Sequence, residues 1–97
     1  MYGLISKMKT LPGQRDALVD ILVEGSKAMP GCIHYIIAKD VHDEHILWVV
    51  ETWDSTQAHQ SSLSLPTVVE AMARGKPLIV SIERRIETLP VSIASCD

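Results

Sequence analysis

Two successive stretches, Cys32–Val41 and His45–Trp53, carry apolar side chains on both of their faces. In the first, Ile33, Tyr35 and Ile37 alternate with Cys32, His34, Ile36 and Ala38. In the second, Ile46, Trp48 and Val50 alternate with Leu47, Val49 and Trp53. Side chains along a strand point alternately to opposite faces, so strands apolar on both faces sit at the centre of a sheet that is covered twice. The polar run DVHDE (Asp40–Glu44) between them is short enough for a turn, which makes the pair an antiparallel hairpin.

The remaining chain supplies the partners of that hairpin. Tyr2–Thr10 alternates, with Tyr2, Leu4, Ser6 and Met8 on one face, and ends at Pro12-Gly13. Gln14–Met29 repeats Ala17, Leu18, Ile21, Leu22 and Gly25 at helical spacing and stops at Pro30-Gly31. Ser55 to about Arg74 is helical again, capped by the Ser55 hydroxyl and broken by Pro66. Leu78–Leu89 reads as a last strand, with Val80, Ile82 and Ile86 on one face and Ser81, Glu83, Arg85 and Glu87 on the other. The order β-α-β-β-α-β predicts an α+β, ferredoxin-like fold with a four-stranded antiparallel sheet. Residues 1–90 form one domain in this reading, and 91–97 a tail or an arm onto a neighbour. Helices on one side leave the other sheet face bare, and a second copy of the same face is the simplest cover. A homodimer through sheet faces is therefore expected.

The chemistry concentrates at one strand-to-helix corner, VVETWDSTQAHQSSLSLP (Val49–Pro66). Glu51 and Trp53 lie two residues apart and share a strand face. Ala58, His59, Ser62 and Leu63 follow within about two helical turns. There are only four aromatic residues, Tyr2, Tyr35, Trp48 and Trp53, and no Phe, so the two Trp and Tyr35 are the large rings expected to shape a cavity. His59 is the candidate base, since its ordinary pKa of about 6.5 suits proton transfer near neutrality; the competing reading is a surface histidine. Trp53 either stacks on a ligand or fills the core. Tyr35 either donates to a ligand oxygen or sits as a core ring with its hydroxyl at the edge. Glu51 either orients a base or pairs with Arg84 or Arg85. Those two arginines face opposite ways on a strand and make no phosphate clamp.

Other classes fall away. Nine scattered Lys and Arg residues and a net charge of −3 offer no nucleic-acid surface. His34, His42 and His45 show no metal-ligand spacing with their acidic neighbours. Cys32 and Cys96 make neither a disulfide framework nor a zinc pattern, and suit a reducing compartment. No apolar run reaches the length of a membrane span and the N-terminus lacks a signal core, so the expected location is cytoplasmic.

In order along the chain, PGCIHY (Pro30–Tyr35), Asp40 with its hairpin, ETWDSTQAH (Glu51–His59) and SLSLP (Ser62–Pro66) resemble the antibiotic biosynthesis monooxygenase domain, including its quinol monooxygenase-like members. The resemblance runs over about residues 2 to 90. It implies a dimeric α+β barrel with a pocket between the helices and the sheet of each subunit. It also implies oxidation of phenols, hydroquinones or polycyclic aromatics by O2, often with no metal or organic cofactor. His59 lies one turn before the family's histidine position, so that role does not transfer to it directly; it stays the candidate catalytic residue on its own chemistry, with Trp53, Tyr35, Glu51 and Ser62 expected at the substrate. Ser62 and Thr67 stand where many members have histidine. Haem-degrading relatives use an Asn on the first strand and a haem-ligating His on the second helix; here Ser6 and the Ser62-Leu63 pair stand near those places, which argues against haem. Two further readings compete with the oxygenase: a barrel that only binds a small molecule, and an oligomeric scaffold whose corner is filled by its own side chains.

Overall fold

In a computed structural model describing residues 1–96, β1 (Tyr2–Thr10) is the strand on which the others are assembled. It pairs antiparallel with β3 (Ile46–Trp53) on one side and with β4 (Ile79–Thr88) on the other. The β2 strand (Cys32–Lys39) pairs with β3, giving the order β2-β3-β1-β4. The helices are α1 (Arg15–Gly25), α2 (Thr56–Ser62) and α3 (Pro66–Gly75), and one 3-10 turn (Lys76–Leu78) leads into β4. This is the ferredoxin-like plan, with Pro66 dividing the second helical segment in two. Pro66 lies at the start of α3, where its missing amide hydrogen costs nothing.

Alternation decides which side of the sheet is covered. Tyr2, Leu4, Ser6, Met8 and Thr10 of β1 are all buried, as are Leu47, Val49 and Trp53 of β3. These residues face the helices. One core cluster joins Met8, Leu18, Leu47 and Val49, and a second joins Tyr2, Leu4 and Trp53. The opposite face carries Ile5, Trp48, Val50, Ile36 and Ile86 in register, with Ile36 52% and Ile86 41% exposed.

The first helix is shorter than expected at its C-terminal end. It stops at Gly25, and Ala28 adopts a left-handed φ of 54° in the turn beyond. Gly31 follows with φ 81°, and an added Cβ there would lie 2.6 Å from the Ala58 Cβ of α2. The Gly31 carbonyl also accepts the Asp54 amide at 2.8 Å. The Pro30-Gly31 turn thus seats the start of α2, and the Ser55 hydroxyl caps that helix by accepting the Ala58 amide at 3.1 Å.

Two strands depart from simple alternation. Lys7 opposes Arg84 and Met8 opposes Ile82, which leaves Glu83 as an unopposed extra residue; Val80 is left over in the same way between Ser81 and Ile79. These bulges put Ile82 on the helix side with Met8, and Ile86 on the bare side with Ile5. Strict alternation would place Ile82 and Ile86 together, but a β-bulge reverses the facing of everything beyond it. A similar irregularity at Ile33 brings Cys32 opposite Trp53 and into its core cluster, instead of onto the face of Ile36.

The β2–β3 turn is organised by Asp40. Its carboxylate accepts the backbone N–H groups of His42 and Asp43 at 3.0 and 2.9 Å, and the Trp48 indole N–H at 2.9 Å. These donors, the indole first, hold its pKa down at about 2, from an ordinary 3.8. The folded form therefore binds its proton less readily than the unfolded chain. The resulting stability is present above pH 3.8 and is lost as the pH falls through 2. Asp40→Asn is expected to flatten this part of the acid limb in thermal melts recorded between pH 5 and 2. An unchanged limb would assign the acid sensitivity to another group.

Candidate active site

The helices do not cover the sheet completely. Between the three helices and the sheet lies an open cavity of about 660 Å³, with mostly apolar walls. Members of both core clusters line it, among them Leu4, Met8, Leu18, Val49 and Trp53. At the mouth, Leu63 and the 57% exposed Met72 come from the helices, and Val80 and Ile82 come from β4.

All five residues singled out in the sequence line this cavity: His59, Trp53, Tyr35, Glu51 and Ser62. His59 is only 7% exposed. Its ring lies 5.4 Å from that of Trp53, edge-on, and 5.5 Å from that of Tyr2. Its Nε2 is 4.0 Å from Glu51 Oε1. The same Glu51 oxygen accepts the Trp53 indole N–H at 3.0 Å. The carboxylate is thus held by the indole and offered to the imidazole. The ion pair with Arg84 or Arg85 considered from sequence does not form among the described residues. Arg84 opposes Lys7 on the bare face, whereas Arg85 opposes Ser6 on the helix side and acts on Glu51 through its charge alone.

Burial sets the protonation of the site. It lowers the His59 pKa from its ordinary 6.5, and the Arg85 charge lowers it further, so His59 is neutral at pH 7. Burial raises the Glu51 pKa, opposed by the Trp53 hydrogen bond and by Arg85. Tyr35 is pushed far above its usual range, by burial first and then by the Glu51 and Cys32 charges, so it remains a phenol able to donate. Ser62 is buried and donates its hydroxyl proton to the His59 carbonyl at 2.6 Å within its own helix.

Sequence reasoning misses Tyr2 and Arg85 as site residues. Tyr2 opposes Trp53 in register and backs His59, so drawing the β1–β3 pairing would have found it. Its hydroxyl donates to Glu87 at 2.9 Å. Alternation assigns Arg85 to a polar strand face, and the bulge at Glu83 has no sequence signal. Among the described residues, no three His, Cys, Asp or Glu side chains cluster as a metal site, and no helix is long and apolar enough to cross a membrane.

The fold and cavity define a small α+β domain built around an apolar, ligand-sized pocket with one imidazole, one carboxylate and one phenol in its wall. Residues 1–74 match the sequence profile of the family described as antibiotic biosynthesis monooxygenase. A Chloroflexus aurantiacus J-10-fl structure, described as a candidate antibiotic biosynthesis monooxygenase, is 51% identical, with a TM-score of 0.95 over 97% of this chain and 96% of that one. The chain belongs to the antibiotic biosynthesis monooxygenase family. More distant structures from Deinococcus radiodurans (19% identity, TM-score 0.79, covering 100% of this chain and 99% of that one) and Nitrosomonas europaea (11%, 0.79, 97% and 100%) share the fold. A comparison with curated proteins finds no match.

Proposed function

We propose that the cavity binds a quinol or related phenolic ring, and that the protein oxidises it with O2 without a metal or organic cofactor. The observation that carries this reading is His59: buried, neutral at pH 7 and facing an apolar cavity, with Glu51 at 4.0 Å. A neutral imidazole takes the proton of a bound phenol, and Glu51 stabilises the imidazolium that forms. The phenolate is electron-rich enough to reduce O2 itself. One oxygen atom joins a ring carbon, the other leaves as water, and the substrate supplies all four electrons. For a hydroquinone the products are a hydroxyquinone and water. Trp53 shapes the wall, Tyr35 donates to a substrate oxygen, and the apolar lining excludes water from the reactive ring.

Oxygen uptake by metal-stripped protein over a panel of hydroquinones and polycyclic phenols tests this. Uptake above autoxidation, with oxygen incorporated into the product from labelled O2, supports it. The competing reading is a non-catalytic binding domain, favoured by the Ser62 hydroxyl being spent on its own helix and by the absence of imidazoles at positions 62 and 67. It predicts tight binding of the same rings with no uptake.

The functional unit in this reading is a cytoplasmic homodimer joined through the bare sheet face. Ile5, Ile36, Trp48, Val50 and Ile86 form a contiguous apolar surface there, which a second copy would cover. Sedimentation at micromolar concentration is expected to give a dimer, and Ile36→Glu a monomer with unchanged circular dichroism. A native monomer would remove the interface.

A further inference from the structure

The cavity wall carries a cation that the proposed chemistry does not use. Arg85 lines the cavity from β4, on the helix side of the sheet opposite Ser6. Arg85 is an exposed residue. Glu51, on which the Arg85 charge acts, accepts the Trp53 indole N–H, and Glu87, two residues along β4 from Arg85, accepts the Tyr2 hydroxyl. Arg85 itself makes no ion pair or side-chain hydrogen bond among the described residues. Arg85 and His59 line the same cavity, and the Arg85 charge acts on His59, Glu51 and Tyr2. The other cation in the lining, Lys76, sits in the turn before β4, where Ile79 opposes Thr10. Thr10 lies four residue steps along β1 from Ser6, about 13 Å of strand.

Resting on the reading of this cavity as an aromatic-binding site, we infer that Arg85 selects ligands whose aromatic ring system bears a carboxylate. An apolar cavity rejects an unpaired anion, because desolvating the charge is costly. A guanidinium with its donors unspent reverses that preference, since its fork matches a carboxylate with two parallel hydrogen bonds. The rings then enter between Leu63, Met72 and Ile82, while the carboxylate stays on the Arg85 side with one edge in water. This substituent would orient the ring system relative to His59, which a wholly apolar wall cannot do.

Binding, not turnover, tests this, so the outcome is independent of oxygenase activity. The probes are anthraquinone-2-carboxylate and its uncharged carboxamide, titrated by calorimetry into native protein, Arg85→Gln and Lys76→Gln at low salt. Native protein is expected to bind the carboxylate at least tenfold more tightly than the amide. Arg85→Gln is expected to bring the two within twofold while leaving the amide affinity in place, and Lys76→Gln to keep the native preference. Equal native affinities, a preference that survives Arg85→Gln, or one lost in Lys76→Gln would each overturn the assignment. Failure of both probes to bind would overturn it together with the aromatic-site reading. A preference abolished by Arg85→Gln in a protein with no oxygen uptake would uphold the assignment and sink only the oxygenase.

Discussion

Trp53→Ala is expected to remove about 3–5 kcal/mol of stability, a large share of what a domain of this size possesses. The indole is 1% exposed and forms the second core cluster with Tyr2 and Leu4, so its loss opens a void that this cluster must collapse around. Its N–H is also the donor that holds Glu51. Truncation therefore leaves a half-buried carboxylate without its partner, which adds a polar cost to the cavity cost. Urea unfolding followed by far-ultraviolet circular dichroism measures the loss, without relying on the fluorescence that the substitution removes. Trp53→Phe separates the two contributions. It keeps most of the ring volume but no donor, so it is expected to lose less stability than alanine while still freeing Glu51. A stability loss below about 1 kcal/mol for alanine would mean that the indole is not the wedge between the sheet and α2.

His59→Asn is expected to lower kcat/KM for a turned-over quinol by about 10²–10⁴-fold, the usual span for removing a positioned base. The asparagine fills similar space against Tyr2 and Trp53 but takes no proton. The pH profile gives the sharper readout. Burial and Arg85 both depress the His59 pKa, so the native acid limb should fall below the ordinary value of 6.5. The variant should lack this limb. The same depression has a stability consequence of defined sign: the contribution of His59 is fully present above pH 6.5 and is lost as the pH falls through its folded pKa, because the unfolded chain takes the proton first. Full activity in His59→Asn would keep the fold and cavity but discard the imidazole as base.

Much of this molecule is legible in the chain. The doubly apolar strands placed β2 and β3 beside each other, and the spacing Glu51-x-Trp53 put both on the cavity face because nothing interrupts alternation between them. Pro66 declared the break between α2 and α3. What stayed hidden depends on the partner strand. Whether Ile82 and Ile86 share a face is decided by an extra residue at Glu83, and whether Glu51 meets an arginine or an indole is decided by distances of a few ångströms across the sheet. The left-handed Ala28 in the turn after α1 has no local signature, since Ala ordinarily prolongs a helix.

The position of β4 also bears on how the molecule is made. It is last of the strands in chain order, yet it pairs with the first, and it supplies one whole lip of the cavity together with Arg85. Until it is synthesised, β1 has one unpaired edge and the nascent pocket lacks a wall. Its docking closes a loop nearly as long as the chain, the slow kind of event that delays folding. A ribosome stalled before β4 would therefore hold a chain that has its candidate base but no binding site.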